Sequence, residues 1–147
     1  MVDILHQIAA TAPAGDVYNA LTTIDGLSRW WTTDTVGDSD RVGGIIRFTF
    51  ERGTVDMAVR ILEADKTVVW EVVDGPEEWL GTTVSFQIRP NGDWTTVLFK
   101  HQNWAEPVEF MHHCSTKWAT FMMSLKSLLE TGKGRPHPDD VRIDDWN

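Results

Sequence analysis

The chain has 147 residues, a size at which one compact domain is expected and about 68–70% of the unfolded surface can be buried without a disulfide, metal or partner. Its 41% apolar and 24% charged shares exclude wholesale disorder and collagen-like or coiled-coil composition. Thirteen Lys and Arg against 22 Asp and Glu leave a formal charge of -9, a field that repels nucleic acid and anionic lipid headgroups.

Residues 3–11 alternate weakly, with Ile4, Ile8 and Ala10 on one side and Leu5 and Gln7 on the other, which predicts a first strand. Pro13 suits the first turn of a helix, where its missing N–H costs nothing, and Val17, Leu21 and Ile24 recur at helical spacing. Gly15 weakens that helix, so it is expected to be short. Asp25 is placed to cap a second short helix that runs through Trp31. Thr35–Val36 reads as a minor strand. From Gly43 to about Asn103 the pattern has period two. Ile46, Phe48 and Phe50 share a face, then Val55, Met57, Val59 and Ile61, then Val68, Trp70 and Val72. Val84, Phe86 and Ile88 follow Asp74-Gly75-Pro76, and Asn91-Gly92-Asp93 gives the clearest hairpin signal before Thr95, Val97, Phe99 and His101. Short loops between consecutive strands imply an antiparallel meander of six or seven strands.

Pro107 opens the last element, a long amphipathic helix that stops at Gly132. Met111, Cys114, Trp118, Phe121, Met122, Leu125 and Leu129 form its apolar stripe. The fold class expected is α+β: a curved antiparallel sheet wrapped around a long C-terminal helix, with two short helices after the first strand. The domain is placed at 1–134, and residues 135–147 form an acidic C-terminal extension, irregular or frayed.

Several motifs resemble one superfamily. Pro13, Val17-Tyr18-Asn19-Ala20-Leu21-Thr22 and Arg29-Trp30-Trp31-Thr32 are similar to the opening pattern of START-like (SRPBCC, Bet v 1, helix-grip) domains. Val42-Gly43-Gly44 before Ile46-x-Phe48-x-Phe50, the position of Trp70, Thr95-x-Val97-x-Phe99-x-His101, and Leu125-x-x-Leu128-x-Glu130-Thr131-Gly132-Lys133-Gly134 resemble the Activator of Hsp90 ATPase homologue 1-like branch, in its stand-alone bacterial form. The resemblance spans nearly the whole chain in the right order. It implies a helix-grip fold with a cavity between sheet and long helix, and it places Trp30 and Trp31 over the cavity mouth. Because the superfamily includes carriers, receptors, cyclases and co-chaperone domains, function must be argued from the site.

Cys114 is the only cysteine, so no intrachain disulfide forms and a reducing compartment is expected. The N-terminus fits neither a signal nor a transit peptide, and no run approaches 18 apolar residues, so cytoplasmic localisation without membrane insertion is expected. Cys114 lies on the core stripe and reads as a small hydrophobe. His112 and His113 point about 100° apart on a helix and no H-E-x-x-H or Cys pair accompanies them, so no metal and no cofactor are expected. Thr95 and His101 are the polar groups aimed at the concave face, and His101 is either a polar anchor or a satisfied imidazole. Trp70, Phe86, Phe99, Met57, Trp118, Phe121 and Met122 around it, with Phe48 on the neighbouring strand, are the candidate lining. Trp79 and Trp94 flank turns, Trp104 follows the last strand and Trp146 lies in the tail.

The expected function is binding of a small apolar or aromatic molecule, with no catalytic residue assigned. One alternative is a cyclase or dehydratase using His101 as acid/base. Another is a protein-interaction module related to Hsp90 ATPase activators, with a stress or chaperone partner. The oligomeric state, monomer or homodimer, is left open.

Overall fold

The computed structural model describes residues 1–147. In chain order the elements are β1 (Val2–Ala10), α1 (Ala14–Thr22), α2 (Ile24–Trp30), β2 (Thr35–Gly37), β3 (Ile45–Phe50), β4 (Gly53–Glu63), β5 (Thr67–Asp74), a 3-10 turn (Glu77–Trp79), β6 (Thr83–Asn91), β7 (Trp94–Trp104) and α3 (Glu109–Thr131). The seven strands form one antiparallel sheet in the order β1-β7-β6-β5-β4-β3-β2. The chain therefore runs as a meander from β2 to β7, and β1 closes the far edge beside β7. Most of the period-two rows read from the sequence face α3 and join side chains of β1 and the helices in one cluster of 29 buried residues.

Local chemistry sets the boundaries. Gly92 opens the β6–β7 hairpin with φ 61°, the sign that the first residue of such a two-residue loop requires. Gly132 ends α3 at φ 81°, its N–H donating to Leu128 O over 2.9 Å. α2 is capped by Thr23, whose Oγ1 accepts from Gly26 N at 3.0 Å, and not by Asp25, which lies one residue inside the helix. Pro13 precedes α1 as its cap residue rather than standing in its first turn, and α3 begins at Glu109, two residues after Pro107.

One inward row breaks. Val59 pairs with Trp70 but Ile61 pairs with Val69, so a bulge turns Ile61 outward to 44% exposure and gives its inward place to Leu62, opposite Val68. Period-two reading has no way to register an inserted residue.

Residues 135–147 are irregular but packed. The Arg135 N–H donates to Ser124 Oγ at 2.7 Å, His137 N–H donates to Trp31 O at 2.8 Å, and Thr33 N–H donates to His137 O at 3.1 Å. This strap crosses the end of the sheet where α3 begins. No helix is long and apolar enough to cross a membrane.

Candidate functional site

The tryptophans gather between sheet and α3 more completely than strand parity indicates. Trp30 and Trp31 are 0% and 2% exposed, so neither stands at a mouth: Trp30 meets Phe86 edge-on, and Trp31 packs against Phe48 at 4.2 Å and Trp118 at 4.9 Å between ring centres. Trp79 and Trp104, which the sequence places at turns and ends, are also buried. Trp79 stacks on Trp118 with an interplanar angle of 16°, and Trp104 meets the His101 ring edge-on at 5.0 Å. Of the eight, Trp94 alone has a largely exposed ring, under the Lys126 ammonium.

His101 lies inside this assembly and is fully buried. The Trp118 indole N–H can only donate, so His101 Nδ1 accepts from it at 3.1 Å and the imidazole proton sits on Nε2. Nε2 donates to Thr82 Oγ1 at 2.8 Å, and that hydroxyl donates to Trp79 O at 2.6 Å. The chain of bonds is complete for a neutral ring and has no place for a second ring proton. Burial accordingly pushes the His101 pKa down to about 3. With both nitrogens engaged and the ring fully buried, His101 ties β7 to α3 and to the loop after β5 and does not line the cavity.

An open cavity of about 580 Å³ lies beside this core, at the end of the sheet. Its walls are the β3–β4 turn, the loop after β5, the first three turns of α3 and the strap. Seven aromatic side chains line it: Trp31, Trp79, Trp118 and Phe121 on the core side, Phe50 at the turn, and Phe110 with Trp146 toward solvent. Trp31, Trp118 and Phe121 are the members of the expected lining that reach it. Trp30, Phe48, Met57, Trp70, Phe86, Phe99, His101 and Met122 are packed in the adjacent core.

The polar groups of the cavity lie outside the expected lining. Lys117, 9% exposed, donates from Nζ to the Asp140 carboxylate and to Val141 O at 2.9 Å, and lies 5.2 Å from the Phe121 ring centre. His113 Nδ1 donates to Asp144 Oδ2 at 2.7 Å, a bond that holds the Asp144 carboxyl below its usual range. Trp146 packs on Phe110 and His113, with ring centres at 6.4 and 5.3 Å. Burial pushes the Cys114 thiol up to about 12. One sequence signal existed: Phe110, His113 and Lys117 recur at helical spacing along one side of the apolar stripe, next to its members Cys114, Trp118 and Phe121. No group of His, Cys, Asp and Glu side chains suited to a metal is present.

The profile described as Activator of Hsp90 ATPase homolog 1-like protein matches residues 11–130. The chain belongs to this family. A solution structure of the Aha1 dimer from Colwellia psychrerythraea is similar at 47% identity and TM-score 0.85, over 91% of this chain and 100% of that one. Protein MLL2253 from Mesorhizobium loti is similar at 18% identity and TM-score 0.76, covering 87% and 96% of the two chains. CalU16 from Micromonospora echinospora is similar at 19% identity and TM-score 0.71, covering 88% and 77%. The latter two show the shared helix-grip fold alone. No curated protein matches the sequence. The strap, residues 135–147, lies beyond the stretch that the family profile matches.

Proposed function

We propose that residues 1–134 form a cytoplasmic binding domain that holds a small apolar or aromatic molecule between the sheet and α3, with the extension 135–147 as one wall of the site. The cavity carries this reading: about 580 Å³, within the range of small-molecule sites, walled by seven aromatic rings while the core next to it is filled. A core that packs so many large rings elsewhere leaves this space open at one end. The test is a titration with the neutral fluorophore N-phenyl-1-naphthylamine, read by its emission and by quenching of tryptophan fluorescence, together with mass spectrometry of material extracted from the purified protein. Saturable binding of one probe per chain, weakened by Trp118→Ala or by filling the cavity with Cys114→Phe, is expected. No probe binding and no extracted molecule would refute the reading.

A second reading is favoured by the 47% identity with the Aha1 dimer: a stress-response interaction module, homodimeric, that stimulates the ATPase of an Hsp90-type chaperone. Sedimentation and ATPase assays with such a chaperone test it, and a monomer that leaves ATP turnover unchanged would count against it.

A further inference from the structure

Lys117 and Asp140 are the charged groups most deeply placed in the cavity, with side chains 11% and 3% exposed. Glu51, Arg52 and Asp74 also line it, but at its exposed rim. The two buried charges come from different parts of the chain. Lys117 is fixed on α3, inside the family domain, whereas its carboxylate arrives on the strap, beyond the stretch matched by the family profile. Lys117 carries three N–H donors; Asp140 and Val141, both on the strap, meet two, and no protein acceptor meets the third. The ammonium thus depends entirely on the strap for its acceptors.

The strap also supplies an aromatic ring to the same cavity, Trp146, seated on Phe110 and His113. One segment therefore places a carboxylate on the lysine and an indole among the rings. Resting on the ligand-binding reading above, we propose that the cavity takes a planar aromatic molecule bearing one acidic group, whose anionic oxygen replaces the Asp140 carboxylate on Lys117. Planarity follows from an apolar wall that is chiefly ring faces and edges, with Val55, Pro76 and Cys114 the other apolar side chains in it. The single acidic group follows from charge balance. His137 Nδ1 lies 3.3 Å from Asp140 Oδ1, on the strap itself, so it travels with Asp140 and Lys117 is the one buried cation that α3 keeps in the cavity; an anion added beside Asp140 would put two negative charges against that ammonium, whereas an exchange keeps the pair neutral. Asp140 is then an intramolecular competitor, and the strap shifts when the ligand enters.

The test compares two probes with closely related ring systems, 8-anilinonaphthalene-1-sulfonate, which is anionic, and neutral N-phenyl-1-naphthylamine, on the full chain with native fold checked by near-UV circular dichroism. Asp140→Asn removes the competing charge and is expected to tighten the anionic probe by about tenfold or more, while the neutral probe changes less than about twofold. Lys117→Met is expected to abolish the preference for the anion, and Lys117→Arg to retain it. Should Lys117→Met not fold, the gain in Asp140→Asn is still required. Binding of the neutral probe with no gain for the anion in Asp140→Asn overturns this proposal and leaves the binding reading standing. Failure of both probes in every variant overturns both.

Discussion

His101 gives the sharpest physical prediction, because its ring must stay neutral for the Trp118–His101–Thr82–Trp79 chain of hydrogen bonds to survive. Above pH 6.5 the imidazole is neutral in the folded and the unfolded chain alike, and its stabilising contribution is fully present. As pH falls below 6.5 the unfolded chain takes up a proton that the folded chain refuses until about pH 3, so stability falls over that window. The slope is about 1.4 kcal/mol per pH unit. Two units, from 6.5 to 4.5, therefore remove about 3 kcal/mol. His101→Gln cannot titrate and should cost about 2–4 kcal/mol at pH 7, from a poorly met indole N–H and lost ring packing. By pH 4.5 the gap between wild type and variant should have nearly closed. Urea denaturation followed by tryptophan fluorescence at half-unit pH steps reads both curves, and the carboxylates common to both cancel in the difference. A gap that stays constant from pH 7 to 4.5 would refute the neutral, proton-excluding arrangement.

Thr82→Val keeps the shape of the side chain but leaves the His101 Nε2–H without an acceptor, and should cost about 1–3 kcal/mol in the same denaturation assay. Gly134→Ala should loosen the strap, since a Cβ there would lie 2.3 Å from Arg29 O; faster amide exchange confined to 134–147, with α3 unchanged, is the expected signature. The Cys114 thiol, 4% exposed and raised to about 12, should react with a thiol reagent orders of magnitude more slowly in the native protein than in urea, and a native rate close to the unfolded one would show that the cavity end of α3 opens readily.

Periodicity alone determined much of this protein. The inward rows of β3 through β7, the Asn91-Gly92-Asp93 hairpin and the glycine stop of α3 follow from alternation and turn chemistry that act within a few residues. His101 was legible as an inward polar residue for the same reason: strand parity fixes the face on which a side chain stands. Parity does not fix its partners. That its nitrogens meet Trp118 and Thr82, 17 and 19 residues away, depends on how α3 and the loop after β5 settle on the sheet. The bulge that turns Ile61 outward, the burial of Trp79 and Trp104, and the capping of α2 by Thr23 are likewise products of packing and local geometry that residue type does not specify. The cavity is further still from the sequence, because empty space has no residue of its own. It exists where the β3–β4 turn, the loop after β5, α3 and the strap fail to close on one another, and only their tertiary arrangement brings Lys117 and Asp140, 23 positions apart, to a shared buried hydrogen bond.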